Sequence, residues 1–330
     1  MISTGQHREM LDQVLTDLQI DVDRDLHLMV PNQSLAKLAS GVLTSVSDCL
    51  LEYKPDVVIV QGDTTTALAC GVASFYDKNP IAHVEAGLRT GDMYDPFPEE
   101  MNRKLISQIS AWNFAPTELA ASNLLREGID PKTIEVTGNT VIDSFQWILQ
   151  QGLGRSAFRS QKSKILVTLH RRENQGDRMV DISSALREIG KRGDVEIVLP
   201  LHLSPSVRSV LLPELQDQAG IRIVEPLSYI DFVASLNDAR LVLTDSGGVQ
   251  EEAPSLGTPA LVLRETTERP EGVDAGTAVL VGVSAASIIR ECNSLLDDQA
   301  RYSMMSSIAN PYGDGHATER ILTRLHHDLS

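Results

Sequence analysis

Basic residues are scarce. The 330-residue chain carries 29 Lys and Arg against 45 Asp and Glu, a formal charge of −16. This balance argues against nucleic acid as a partner, because binding a phosphate backbone needs a basic face. Small anionic ligands stay open, since a few local cations and helix N-termini hold them in a chain of any net charge. Cysteine is nearly absent. Cys49, Cys70 and Cys292 are too few and too scattered for a disulfide framework or a zinc site, as expected in a reducing cytoplasm. No apolar run exceeds strand length, so no membrane span is expected. The opening MISTGQHREML has no apolar stretch of the kind a signal peptide needs.

What is present is a steady alternation of short apolar runs and longer amphipathic segments. Apolar residues make up 42% and charged residues 22%, enough to build a core and too apolar for a disordered chain. Strands are expected at 56–61, 81–85, 113–117, 133–138, 164–170, 196–202, 221–226, 241–246, 259–264 and 278–283. Each is rich in Val, Ile and Leu on both faces, as in a buried parallel sheet. From Ser34 to Tyr53, the residues Leu35, Leu38, Ala39, Val42, Leu43, Val46 and Leu50 keep helical spacing. Further helices are expected at 8–18, 65–76, 99–109, 118–127, 181–191, 229–237 and 285–296. The alternation means a doubly wound α/β architecture, and the length suggests two domains.

The polar, glycine-containing stretch 149–164 reads as a linker. It divides a first domain, 1–155, from a second, 156–315, with a last helix at about 316–330 packing back on the first. The opening is unusual. ISTGQH (2–7) reads as the tail of a strand entering a helix, and the strand–turn–helix that commonly opens a Rossmann-like unit is not seen. Neighbouring strand edges are therefore expected to be unpaired and their apolar surface uncovered.

In parallel α/β sheets ligands sit beyond the carboxyl ends of the strands. In the first domain that rule selects Asp63, His83, Glu85 and the pair Glu99–Glu100. Asp63, before TTT, alone reads as a helix cap. Glu85 ends an apolar strand, where desolvation raises a carboxyl toward the range of a general acid or base. Glu99 fits either a site or a first-turn dipole partner. In the second domain the rule selects His170–Glu173, His202 and Ser246–Gly248. The TDSGGVQEEAP turn is either an anion pocket suited to a diphosphate or a plain helix cap, with Glu252 one turn on, where it can accept from ribose hydroxyls. His202 alone is more often structural. Arg171 and Arg172 bring cations to a cleft or stand as solvated charges. Together, the carboxylates, the histidine and the phosphate turn suit proton removal from carbon with loss of a phosphate leaving group.

GQHREML, GDTTT, HVEAGLRTGD, PEEMNR, TGNTVID, HRREN, TDSGGVQEEAPSLGTP, TTERPEGV and NPYGDG run through the chain from Gly5 to its end. In this order the chain resembles the non-hydrolysing UDP-N-acetylglucosamine 2-epimerases. The resemblance implies the glycosyltransferase type B fold, two facing Rossmann-like domains with the active site in their cleft. It implies interconversion of UDP-GlcNAc and UDP-ManNAc in the cytoplasm by a homodimer, supplying polysaccharide biosynthesis, with no metal, no nicotinamide and no other cofactor. It assigns Asp63, Glu85 and Glu99 as acid/base carboxylates and sets His202 on the diphosphate. Ser246, Gly247 and Gly248 would hold the phosphates, Glu252 the ribose and Phe232 the uracil face, with Arg269 lining the site. In bacterial members a second UDP-GlcNAc binds beside the first, and Gln6, His7 and Arg171 match residues that touch it. The family also begins with a strand, a GTRPE turn and a helix that have no counterpart here, so the first domain is expected to be N-terminally truncated. The competing readings are a truncated, catalytically inactive UDP-sugar-binding protein, a hydrolysing epimerase releasing ManNAc, an epimerase for a diacetamido nucleotide-sugar, and a retaining glycosyltransferase.

Overall fold

The chain divides between Asp143 and Ser144: residues 1–143 with 315–330 form one unit and 144–314 the other. The computed structural model describes residues 1–5, 8–30, 33–171, 174, 176–267 and 269–330, without the side chains of 8–10.

The first unit runs β1 (Ile2–Ser3), α1 (Arg8–Asp17), β2 (Arg24–Asp25), α2 (Leu35–Tyr53), β3 (Val58–Gln61), α3 (Thr65–Tyr76), β4 (Ile81–Val84), α4 (Glu99–Ile109), β5 (Trp112–Ala115), α5 (Glu118–Arg126) and β6 (Ile134–Val136). Its strands form two separate parallel sheets, β1-β2 and β3-β4-β5-β6. The second unit is reached through α6 (Thr140–Gln150). It contains β7 (Ser163–Thr168), α7 (Asp177–Gly190), β8 (Val195–Pro200), α8 (Pro205–Leu215), β9 (Ile221–Val224), α9 (Tyr229–Asp238), β10 (Leu241–Thr244), α10 (Gly247–Glu252), β11 (Ala260–Val262), α11 (Pro270–Ala275), β12 (Ala278–Leu280), α12 (Ala285–Asp297) and α13 (Gln299–Ser306). Its sheet is one parallel array in the order β12-β11-β10-β7-β8-β9. The chain closes with α14 (Ala317–Leu329).

Local chemistry explains the helix starts. Ser34 and Thr64 take extended backbone, and their hydroxyls accept the N–H groups of Lys37 and Ala67, capping α2 and α3. Lys54 ends α2 in the left-handed region, its N–H bonding back to Leu50. In the second unit Met179, Ile182, Ala185, Leu186 and Ile189 line one face of α7 and are buried with Ile165, Val167, Ile197, Leu199, Leu241 and Leu243 of the sheet. Burial of each large apolar side chain in such a layer contributes about 1.5–3 kcal/mol.

Two boundaries differ from expectation. The helical pattern at 140–150 runs through the expected start of the linker, because α6 buries Ile142, Phe145 and Ile148. The polar stretch beyond it is docked rather than loose. Arg155 and Ala157 donate backbone N–H groups to Asp231 and the Ser235 hydroxyl, and Arg159 and Ser160 donate theirs to Glu196. The unit boundary therefore precedes residue 155. The last helix lies on the first unit: Ile321 and Leu325 pack with Ala82, Val84, Trp112 and Phe114, and the Trp112 indole donates to Asp328 at 2.7 Å.

Candidate active site

Residue pairing in the first sheet sets the carboxylates side by side. Gln61 of β3 lies opposite Val84 of β4 in the last register pair, so Gly62–Asp63 and Glu85 are the next residues beyond two neighbouring carboxyl ends. Gly62 takes φ +73°, and a Cβ added there would lie 3.8 Å from Oε2 of Glu85. Glu85 itself takes φ 67°, a left-handed conformation uncommon outside glycine, which persists where surrounding structure holds it.

Helix α4 closes this cluster. Glu99 opens the helix and is half-buried. One turn on, Arg103, buried, pairs with the Asp63 carboxylate, and the Asn102 amide donates to the Asp63 carbonyl at 2.8 Å. Glu100 is fully buried and has a different task. It accepts the N–H groups of Thr90 and Gly91 at 3.1 and 3.3 Å and pairs with Arg103 and Lys104 at 3.5 and 3.7 Å, fixing the loop after β4 to the helix. His83 is structural: its Nε2 lies 2.8 Å from the Gly62 carbonyl, to which it donates, and Ser107 Oγ is 3.5 Å from Nδ1. Burial pushes its pKa down to about 4, with Arg89 and Arg103 adding to the effect, so the ring is neutral and pins the turn before Asp63. Asp63 is thus no helix cap, a role Thr64 fills.

In the second unit the strand order reverses between β7 and β10, the position where doubly wound sheets bind ligands. Asp245, fully buried after β10, ties the two loops together. It accepts the backbone N–H groups of His170 and Arg171 at 3.1 and 3.0 Å and the Asn174 amide at 3.1 Å, with His170 Nδ1 at 3.2 Å. Burial alone would raise this carboxyl; the bonds from His170 and the Arg171 N–H outweigh it and hold the group below the usual carboxylate range. His202 follows β8 and stacks on His170 with ring centroids 6.2 Å apart. Its Nδ1 accepts the Ser204 N–H at 3.1 Å, which assigns the proton to Nε2.

Ser246 sits at the N-cap of α10, yet its hydroxyl makes no capping bond. The plain cap reading of this turn therefore fails for Ser246, and Gly248 beside it is exposed. Glu252 is 7% exposed, and burial, then the neighbouring Glu251, raises its pKa to about 7. Tyr229, at the start of α9, is raised in turn by burial and by Glu252. Phe232 lies in that same first turn of α9 and is half-buried. Arg269 pairs with Glu251, and its carbonyl accepts the Tyr312 hydroxyl at 3.1 Å.

Asp63 and Glu85 follow the carboxyl ends of adjacent strands, and Glu99 opens the helix whose Arg103 pairs with Asp63; in the second unit His202 and the Ser246–Gly248 turn follow the carboxyl ends of β8 and β10, with Glu252 at the far end of α10. Gln6 and His7 lie outside the described residues. Arg103, Asn102 and Asp245 went unselected in the sequence. Arg103 had a signal: it stands one helical turn after Glu99, on the face that Glu99 shares. Among the described residues no group of His, Cys, Asp and Glu is placed to hold a metal ion, and no described helix is long and apolar enough to cross a membrane.

Parallel, doubly wound units with a glycine turn at a switch point place the chain in the glycosyltransferase type B fold class. Residues 1–326 match the sequence profile of the UDP-N-acetylglucosamine 2-epimerases, and the chain belongs to that family. It is 48% identical over 334 residues to the UDP-N-acetylglucosamine 2-epimerase of Escherichia coli K12, covering 98% of this chain and 89% of that one. The crystal structure of the Neisseria meningitidis UDP-GlcNAc 2-epimerase bound to UDP-GlcNAc superposes with a TM-score of 0.89 at 44% identity, covering 98% of this chain and 90% of that one. S. aureus MnaA with UDP gives 0.87 at 42%, covering 96% and 86%.

Proposed function

We propose that the protein catalyses reversible C2 epimerisation of UDP-N-acetylglucosamine to UDP-N-acetylmannosamine without hydrolysis. The observation that carries the reading is the pairing of Asp63, held by Arg103, with Glu85 at the ends of adjacent strands. One carboxylate removes the C2 proton as the C1–O bond breaks and UDP leaves with the bonding pair, giving 2-acetamidoglucal. UDP then adds back to C1 while a carboxylic acid returns a proton to the opposite face of C2. Two acid/base groups are needed because the proton leaves one face and returns on the other. The Ser246–Gly248 turn and His202 stabilise the departing diphosphate, whose charge grows as the bond breaks. Glu252 takes the ribose hydroxyls and Phe232 the uracil, and Arg269 lines the substrate site. Arg171, with Gln6 and His7, serves a second UDP-GlcNAc, and the working form is a homodimer in the cytoplasm.

Proton NMR of UDP-GlcNAc incubated in deuterium oxide tests this. UDP-ManNAc with deuterium at C2 is the expected product. Free ManNAc and UDP would assign a hydrolysing epimerase, and unchanged substrate with bound UDP a binding protein.

A further inference from the structure

Gln250, fully buried in α10, is a polar side chain that the proposed chemistry does not use. It stands four residues after Ser246, and both ends of its amide are engaged. The amide N–H donates to the Ser246 carbonyl at 3.0 Å, and the amide oxygen accepts the Thr267 hydroxyl at 2.8 Å. The Thr267 oxygen accepts in turn the backbone N–H of Arg269 at 3.0 Å. The next residue of α10, Glu251, pairs with the Arg269 guanidinium. Two consecutive side chains of one short helix thus hold the same loop at two positions.

Strand order explains why these segments meet. β10 and β11 are parallel neighbours, paired from Val242 with Ala260 to Thr244 with Val262. Their carboxyl ends deliver Ser246 and the segment 263–269 side by side, and the Leu263 N–H still bonds to the Thr244 carbonyl at 2.8 Å. Beyond that bond the two backbones part, one turning into α10 and the other running on to α11. Gln250 restores the connection, joining the turn after β10 to the loop after β11 through one side chain.

Chemistry selects glutamine for this task. Leucine or methionine would fill a similar volume at no polar cost, whereas a buried amide is tolerated only when its donor and its acceptor are both met. The Ser246 carbonyl takes a donor and the Thr267 hydroxyl an acceptor, and glutamine supplies both. Glutamate at this position would lack the donor. It would also set a third carboxyl in line with Glu251 and Glu252.

We infer that Gln250 is a positioning residue: its amide locks the Ser246–Gly248 turn to the Thr267–Arg269 loop, so that the donors for the diphosphate and the Arg269 guanidinium keep one fixed arrangement as the C1–O bond breaks. This rests on the proposed reading of that turn and of Arg269 as substrate contacts. Preorganised donors act most on the charge that develops in the transition state. A misplacement of about 1 Å, even from a change remote from the reacting atoms, costs about 100-fold in rate. The tie therefore acts on kcat more than on KM.

The test joins hydrogen exchange, with UDP as the probe, to steady-state kinetics. In the unmutated protein UDP should slow exchange in both 246–252 and 264–272. In Gln250→Met and in Thr267→Val it should slow 246–252 alone. In each variant kcat for UDP-GlcNAc should fall at least about tenfold, with KM changed less than about threefold. Thr267→Ser should recover most of the rate, and the double variant should be no slower than the slower single one, because the two residues act as a unit. Thr267 is only half-buried, so its two variants decide the matter even if Gln250→Met loses its fold. Protection of both segments in Thr267→Val, or an unchanged kcat there, would overturn the inference. So would protection of 246–252 without 264–272 in the unmutated protein, which leaves the phosphate role of the turn standing. Bound UDP that protects neither segment would remove that role itself.

Discussion

Arg103 and Asp63, forty residues apart in sequence, form an ion pair in which the arginine side chain is only 9% exposed. The same guanidinium lies 3.5 Å from the fully buried Glu100, so one cation serves a site carboxylate and a structural one. Arg103→Met should cost about 1.5–3 kcal/mol of stability, the scale of a lost hydrogen bond to a charged group, measured by urea denaturation. Arg103→Lys should recover part of the stability but less of the activity, because an ammonium lacks the planar fork that reaches both carboxylates. Equal activity in both variants would separate Arg103 from the reaction.

Glu85→Gln should lower epimerisation by about 10²–10⁴-fold, the range for loss of a general acid or base. UDP affinity by calorimetry should stay the same, because the amide keeps the shape of the side chain. Turnover at the unmutated rate would remove Glu85 from the mechanism.

Glu252 ties pH to stability and, in its proposed role, to binding. Its carboxyl is raised from 4.5 to about 7 in the folded chain, so between these values the folded form holds a proton that the unfolded form has released. Stability from this group is therefore lost as pH rises through that window, by about 3 kcal/mol in full, and Glu252→Gln should flatten the profile. In the proposed site the ionised carboxylate is the stronger acceptor for the ribose hydroxyls. UDP affinity should rise as pH increases toward 7, relative to Glu252→Gln measured in parallel to remove the titration of the phosphate itself. Glu252→Ala should weaken UDP by about 1.5–3 kcal/mol.

His83 works in the opposite direction. Its pKa falls from 6.5 to about 4 in the folded chain, so between these values the unfolded form binds a proton that the folded form does not. The stability is present above 6.5 and is lost as pH falls toward 4, by about 3 kcal/mol. Urea melts of His83→Asn across this range should show a shallower slope than the unmutated protein, though lower overall stability from the lost bond to Gly62.

The sequence by itself determined most of the elements. Ten strands were legible because strands of a parallel sheet are written as short runs rich in Val, Ile and Leu, and α3 and α4 were legible to the residue from their periodicity. It also marked Asp63, Glu85 and Glu99, because a sheet-end position is a local property of the chain. The tail of β1 was legible in ISTGQH, while β2, two residues long, is too short to carry a pattern and α8 carries a proline inside it. Only the tertiary structure decided which polar groups pair. Arg103 with Asp63, Asp245 with the His170 loop, and His83 with Gly62 are contacts between segments far apart in sequence, fixed by strand register and helix docking. The same holds for the raised carboxyl of Glu252 and the lowered ring of His83. A pKa is set by what surrounds a group and how much water reaches it, and neither is written in its neighbours along the chain.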